Sequence, residues 1–114
     1  MQEVKFVAEL PANLTRYFAA QNAHDIEAML AAFAPDAEVR DEGRTYVGRD
    51  AIRGWKLATS AKYRITARPL HTERNGDALA ATVEVSGNFP GSPANLTYDF
   101  LLDGGELIRR LEIH

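Results

Sequence analysis

The fold of this chain is decided by residues 16–41, RYFAAQNAHDIEAMLAAFAPDAEVRD, because two helical patterns in this stretch give way to a strand pattern. Apolar residues recur at helical spacing up to Asn22 and again over residues 26–33. Asp25 is well placed to cap the second of these helices, and Pro35 predicts its end. The residues that follow alternate between apolar and charged types, which predicts a first strand. Two helices therefore precede the sheet.

The segments on either side extend this pattern. Pro11 suits the first turn of the first helix, because an N–H at that position would have no helical partner. Downstream, Gly43 and Arg44 are predicted to form a tight turn into a short second strand, and Gly48 then frees the backbone for a third helix. The inner face of that helix is marked by Ile52, Trp55 and Thr59.

The C-terminal half is predicted to form four long strands separated by turns. Turn-forming sequences stand at residues 75–77, 90–93 and 103–105. Successive hairpins predict an antiparallel sheet, and long antiparallel strands twist and curl. Helices that come first in the chain can cover the concave side of such a sheet. Since 114 residues supply material for one core, the prediction is a single α+β domain spanning residues 1–114.

Strand parity predicts which side chains face the helices, because successive side chains of a strand point to opposite faces. In the third long strand, Tyr98 faces inward and Asp99 faces outward. In the last strand, Leu107 shares a face with Leu111, which puts Ile108 on the other side. A slip of one residue in either strand would exchange these faces.

The composition argues against several classes of function. The net charge is −3, and basic residues form no cluster beyond the pair Arg109-Arg110, so a nucleic-acid partner is not expected. No apolar run approaches the roughly 20 residues that cross a membrane, and the N-terminal residues do not resemble a signal peptide. The chain contains no cysteine, which removes disulfides and thiolate metal sites and fits a cytoplasmic location.

Residues 16–41, the segment YVGRDAIRGW at 46–55 and the segment FLLDGGELI at 100–108 together resemble the nuclear-transport-factor-2-like (NTF2-like) superfamily, in its SnoaL-like and ketosteroid-isomerase-like branch. The resemblance implies a cone-shaped, cystatin-like half-barrel that buries a ligand pocket between helices and sheet. It also implies a homodimer formed through the outer sheet face. Isomerases, cyclases, dehydratases, hydrolases and non-catalytic binders share this fold, so the resemblance does not select one activity.

Two residues match catalytic positions of the ketosteroid-isomerase-like enzymes. Asp41 falls on the aspartate of a Val-x-Asp segment that acts as the base, and it shares strand parity with Val39. Tyr17 falls on the tyrosine of the first helix that donates a hydrogen bond to the oxyanion. A simpler interpretation stands beside each assignment: Asp41 and Glu42 flank a turn in water, and Tyr17 is a core aromatic with a satisfied hydroxyl.

The chain also departs from the isomerase pattern. The oxyanion hole of ketosteroid isomerase, an established example of pKa tuning, needs a protonated aspartate as its second donor. The matching inward position here is Tyr98, while Asp99 lies on the opposite face. Glu42 follows Asp41 where those isomerases have proline. Steroid isomerisation is therefore not the favoured activity.

The remaining candidates are predicted to line the pocket. The aromatic candidates for the lining are Phe18, Phe33, Trp55, Phe89, Tyr98 and Phe100. For all of these except Tyr98, a position in the core is the simpler interpretation of their helical and strand spacing. His71 is a further pocket candidate, although Pro69 nearby predicts an edge strand or a bulge and a surface position is the alternative. No histidine or carboxylate spacing suggests a metal site, and no phosphate-binding loop is present, so neither a metal nor a cofactor is expected.

Two hypotheses follow for the function. In the first, the protein is a cofactor-independent isomerase or lyase, or a SnoaL-like cyclase, acting on a small apolar carbonyl compound. Asp41 would remove a proton next to the carbonyl, and Tyr17, together with Tyr98, would stabilise the enolate. In the second, the pocket belongs to a non-catalytic ligand-binding or dimerisation domain.

Overall fold

The computed structural model of the protein describes residues 9–104 and 106–114. The helices are α1 (Ala12–Asn22), α2 (Ile26–Leu30) and α3 (Arg49–Lys62). The strands are β1 (Phe33–Asp41), β2 (Arg44–Val47), β3 (Ile65–Asn75), β4 (Ala78–Gly87), β5 (Ala94–Leu102) and β6 (Ile108–Ile113). This is the predicted order of two helices, a hairpin, a third helix and four strands. None of these helices is long and apolar enough to span a membrane.

The strands form one curved, unclosed sheet in the order β2-β1-β6-β5-β4-β3. The predicted α+β fold, with helices packed on a curved sheet, is confirmed. The sheet is not purely antiparallel, because β1 and β6 pair in parallel. Hairpin signals predict only how consecutive strands pair, and β1 and β6 lie near opposite ends of the chain. This pairing brings the end of β1 next to the C-terminal strand.

The second helix is shorter than its apolar pattern predicts. Phe33 was expected on that helix, but α2 ends at Leu30 and Phe33 is the first residue of β1. β1 therefore passes through Pro35, which has no N–H for a ladder hydrogen bond. The pairing of β1 with β6 is irregular between Phe33 and Glu38, so the proline falls where the regular ladder is interrupted. Asp25 caps α2 as predicted, accepting a hydrogen bond from the Ala28 N–H at 3.1 Å.

The turn between β1 and β2 lies one residue earlier than predicted. It is formed by Glu42 and Gly43, whose φ angles are 52° and 74°, and Asp41 pairs directly with Arg44. A two-residue hairpin loop with positive φ at both positions matches the right-handed twist of the flanking strands. Asp41 is thus the last paired residue of β1, held at the edge of the turn.

The last strand contains an extra residue that reverses part of the predicted parity. Leu102 pairs with Ile108 and Leu101 pairs with Arg110, so Arg109 has no partner in the β5–β6 ladder. Ile108 was predicted to point away from Leu111, but both side chains are fully buried. The bulge thus corrects the prediction for Ile108 and leaves Leu111 on its predicted face, while Leu107 precedes β6 and is partly buried against the core.

Helix α1 is joined to the free edge of the sheet by one side chain. The Asn22 Nδ2 donates to the Ala67 carbonyl at 2.9 Å, and the Ala67 N–H donates to Asn22 Oδ1 at 2.8 Å. Among the strands of residues 9–104 and 106–114, β3 pairs only with β4, so these Ala67 groups have no partner in a described strand. The amide of Asn22 therefore takes the place of a neighbouring strand and fixes α1 over the sheet.

Replacing Asn22 with Ala should lower the free energy of unfolding by about 2 kcal/mol, because it removes both hydrogen bonds from the fully buried backbone of Ala67. Urea denaturation measures the change. Asn88→Ala is the matched control, since Asn88 accepts one exposed hydrogen bond from the Arg64 N–H. If both variants lose the same small amount of unfolding free energy, the proposed role of Asn22 is contradicted.

The core between helices and sheet contains an aromatic cluster formed by Tyr17, Phe18, Phe33 and Phe100. The ring of Tyr17 makes edge-to-face contacts with the other three, at centroid distances of 5.0, 5.8 and 5.7 Å. Edge-to-face contacts place the positive ring edge against a negative ring face, which restricts ring orientation. The cluster therefore holds Tyr17 in one direction.

Candidate active site

A cavity of about 390 Å³ opens between helices α1 and α3 and the sheet face that they cover. Its apolar wall includes Ile65, Val85, Phe89, Leu96 and Ile113. Its polar lining includes Tyr17, Asp41, Glu42, Lys56, Thr59 and Tyr98. An apolar cleft with a few converging polar groups is the usual form of a small-molecule site.

Asp41 reaches the cavity from the end of β1, as its parity with Val39 predicts. The Trp55 indole Nε1–H of helix α3 donates to its Oδ2 at 3.0 Å. The carboxylate is half-buried, so it faces the cavity without being sealed from water. The indole N–H orients the carboxylate toward the cavity wall shared by β1 and α3.

Tyr17 and Tyr98 bring two buried phenols to the same cavity, one from α1 and one from β5. Their exposed fractions are 1% and 3%. Burial, followed by the nearby Tyr98 phenol and Asp41 carboxylate, raises the pKa of Tyr17 well above its ordinary value. Burial and Asp41 likewise raise the pKa of Tyr98. Both phenols therefore keep their protons at neutral pH and can donate hydrogen bonds.

The other predicted aromatic lining residues divide into two groups. Trp55 and Phe89 line the cavity. Phe18, Phe33 and Phe100 do not; they lie in the aromatic cluster. Their packing against Tyr17 fills the core beneath the cavity. Helical and strand periodicity identifies buried faces, but it does not separate the core from the pocket wall.

His71 does not line the cavity. A register shift between Pro69 and His71 interrupts the β3–β4 pairing, and the His71 side chain is 65% exposed. Its Nε2 lies 3.3 Å from Glu73 Oε1 on the surface. The predicted bulge is present, and it is the reason why the parity argument for His71 was wrong.

Lys56 is a cavity residue that the sequence reasoning missed. Its side chain is 4% exposed, and its Nζ lies 5.3 Å from the centroid of the Trp55 ring. Burial lowers its pKa to about 8, although the Asp41 carboxylate acts in the opposite direction. The signal was present in the sequence, because Lys56 completes the i, i+3, i+4, i+7 pattern of Ile52, Trp55 and Thr59.

A family model for the SnoaL-like domain matches residues 14–109, most of the chain. The chain belongs to the SnoaL-like domain family. A protein of Sinorhizobium meliloti, SMa1630, proposed to be a polyketide cyclase, is 42% identical to it over 92% of this chain and 95% of that chain, with a TM-score of 0.87. No functionally curated protein matches the sequence.

Two more distant structures share the fold of this SnoaL-like domain. A protein of Catenulispora acidiphila with a ketosteroid-isomerase-like fold, solved with trimethylamine, is 27% identical over 93% of this chain and 86% of that chain, with a TM-score of 0.78. RV0760c of Mycobacterium tuberculosis, solved with estradiol-17beta-hemisuccinate, is 18% identical over 90% of this chain and 89% of that chain, with a TM-score of 0.75. The predicted superfamily is therefore confirmed.

The cavity of this SnoaL-like domain has a phenol where the isomerase pattern has a carboxylic acid. Tyr98 points into the cavity, and Asp99 lies on the outer face, where its Oδ2 is 2.6 Å from His114 Nε2. That carboxylate raises the pKa of His114. Within residues 9–104 and 106–114, no group of three histidine or carboxylate side chains is placed to hold a metal ion.

Proposed function

We propose that this SnoaL-like domain is a cofactor-independent enzyme that removes a proton from the carbon next to a carbonyl group of a small apolar molecule. This step begins an isomerisation, an elimination or a cyclisation. The observation that supports it best is that the Asp41 carboxylate and the Tyr17 and Tyr98 phenols line one cavity. A base and two oxyanion donors are the groups that enolate formation requires.

In the proposed reaction, an Asp41 carboxylate oxygen accepts the proton as the C–H bond breaks. The electron pair of that bond moves to the carbonyl, whose oxygen becomes negative. Phenol O–H groups of Tyr17 and Tyr98 donate hydrogen bonds to this oxygen. These hydrogen bonds stabilise the negative charge more strongly than they would in water, because the cavity wall is largely apolar. The Trp55 N–H holds the carboxylate in place while it changes charge.

The relatives support the class of substrate. A polyketide contains several carbonyl groups, and closing its ring begins with removal of a proton between them, so the proposed role of SMa1630 fits this chemistry. RV0760c was solved with a steroid ester, which is a largely apolar ligand. We therefore propose apolar ketones and β-diketones as the first compounds to test.

Exchange of the carbon-bound hydrogen for deuterium tests the proposal without knowledge of the product. The protein is incubated in D₂O with a panel of cyclic ketones and β-diketones, and the loss of the proton signal next to the carbonyl is followed by NMR. The proposal expects exchange well above the buffer rate for at least one compound. Buffer-level exchange for compounds that bind in the cavity would overturn it.

Each phenol should contribute separately to this exchange. Replacing Tyr17 or Tyr98 with Phe keeps the ring but removes one oxyanion donor, so each change should lower the exchange rate by about 10²-fold. Tyr46→Phe is the control, because Tyr46 packs on the Trp55 ring outside the cavity lining. An unchanged rate in both cavity variants would exclude the oxyanion role.

A non-catalytic ligand-binding domain is the second candidate, and the Trp55 hydrogen bond favours it. The Trp55 N–H already occupies Asp41 Oδ2, so this oxygen is less available to accept a proton from a bound molecule. Trp55 is the single tryptophan and lines the cavity, so quenching of its fluorescence reports ligand binding directly. Quenching without deuterium exchange would select this candidate.

We also propose that two copies pair through the outer sheet face, as the family resemblance implies. In the single chain that face presents partly buried Thr82, Thr97 and Leu101 beside charged residues. Light scattering during gel filtration measures the molar mass. A monomeric mass at micromolar concentration would contradict the dimer.

A further inference from the structure

We infer that Lys56 is a carbonyl-reactive amine, which forms an imine with an aldehyde or ketone held in the cavity. This inference goes beyond the proposed proton transfer. It requires the cavity that Lys56 lines, but it does not require Asp41 to act as a base. The ligand class is an uncharged apolar carbonyl compound.

The position of Lys56 distinguishes it from an ordinary surface lysine. Helix α3 carries both Lys56 and Lys62, and each ammonium lies over the aromatic ring of a residue next to it in the sequence. The distances are almost equal, 5.3 Å from Lys56 Nζ to the Trp55 ring and 5.2 Å from Lys62 Nζ to the Tyr63 ring. Lys56 is buried at the cavity wall, whereas Lys62 is exposed. The two lysines therefore differ mainly in burial.

Burial leaves part of the Lys56 amine unprotonated, although the carboxylates near it favour the charged form. The carboxylates of Asp41 and Glu42, from β1 and its turn, line the cavity beside it. The other titratable neighbours that the described part of the chain places in the lining are the phenols of Tyr17, Tyr63 and Tyr98. Burial outweighs the Asp41 carboxylate and brings the pKa of Lys56 to about 8. At pH 7 this raises the neutral fraction about 300-fold over that of an ordinary lysine.

A neutral, desolvated lysine amine is the nucleophile that enzymes use for imine formation. Its nitrogen lone pair adds to the carbonyl carbon, and the carbonyl oxygen takes a proton to give a carbinolamine. The C–O bond then breaks, the oxygen leaves as water, and a C=N bond forms. The two amine protons and the carbonyl oxygen together make that water. The phenols of Tyr17 and Tyr98 line the same cavity and can supply and recover the proton.

Reductive trapping tests the inference on the unmodified protein. Benzaldehyde and sodium cyanoborohydride are added at pH 7, and the benzylated lysines are quantified by peptide mass spectrometry after short reaction times. Lys56 should be modified at least about tenfold faster than Lys62, because its larger neutral fraction outweighs its lower intrinsic nucleophilicity. In 8 M urea the two rates should become equal. A folded-state rate for Lys56 equal to or below that of Lys62 would overturn the inference.

Variants separate this inference from the proposed function. Lys56→Met should abolish the fast benzylation and leave the modification of Lys62 unchanged, whereas Lys62→Met should preserve the fast phase. Asp41→Asn tests the proton transfer through deuterium exchange. Fast trapping at Lys56 without exchange would support the imine and contradict the proposed function. Exchange without preferential trapping would overturn the imine and leave the proposed function standing.

Discussion

Asp41→Asn should lower the rate of deuterium exchange next to the carbonyl about 10³-fold, because general base catalysis contributes factors of this order. The asparagine amide has nearly the same shape as the carboxylate, and its oxygen can still accept the hydrogen bond that Trp55 Nε1 donates to Asp41. The substitution removes the proton acceptor without opening a cavity. The exchange rates of the variant and the wild-type protein are compared by NMR with the same ketone.

A matched substitution on the same sheet controls for general effects. Asp99→Asn changes a carboxylate on the outer face, where it contacts His114, and should leave the exchange rate unchanged. Urea denaturation of both variants checks that each is folded under the assay conditions. A wild-type exchange rate in folded Asp41→Asn would remove Asp41 from the mechanism.

Lys56→Met should stabilise the protein by about 3 kcal/mol at pH 7. Burial lowers the pKa of Lys56 from 10.5 to about 8. Keeping Lys56 protonated therefore costs free energy in the folded state but not in the unfolded state. Methionine has a similar length, no charge and an apolar side chain suited to the cavity wall. The free energy of unfolding in urea measures the gain.

The same shift predicts how the stability of the wild-type protein depends on pH. Below pH 8, Lys56 is protonated in both the folded and the unfolded state, so the free-energy cost of burying its ammonium is fully present. Between pH 8 and 10.5 the unfolded state binds more protons, so stability should rise with pH, by about 2 kcal/mol from pH 7.5 to 9.5. Above pH 10 the raised pKa values of Tyr17 and Tyr98 reverse this trend, because their unfolded forms ionise first.

The pH profile of the variant provides the control. Lys56→Met should lack the rise between pH 7.5 and 9.5, whereas Lys62→Met, which changes an exposed lysine, should retain it. If the profiles of Lys56→Met and the wild-type protein coincide, Lys56 is not desolvated in solution, and the argument for its reactive amine fails as well.

Much of the fold could be predicted because its signals are local. The apolar spacing of α1, the cap at Asp25 and the turn before Ala78 each depend on neighbours within a few residues. The parallel pairing of β1 with β6 could not be predicted in this way, because it joins strands that are far apart in the sequence. The bulge at Arg109 was not predicted either, because an alternating pattern counted from Leu107 also puts Leu111 and Ile113 on one face.

The candidate site shows the same division. Parity placed Asp41 and Tyr98 on the cavity face, because each lies in a regular part of its strand. It failed for His71, which follows a bulge. Lys56 was missed for a different reason: it lies on the inner face of the helical pattern, but lysine is a residue type that is usually at the surface.

The hydrogen bonds between Asn22 and Ala67 have a consequence for the protein at high concentration. An unpaired edge strand offers its backbone groups as a template to which strands of other molecules can add. On β3, the side chain of Asn22 already occupies the outward groups of Ala67, and Pro69 two residues later has no N–H to offer. A strand of another molecule could not form backbone hydrogen bonds at this part of the edge. The contact that positions the first helix should therefore also oppose aggregation.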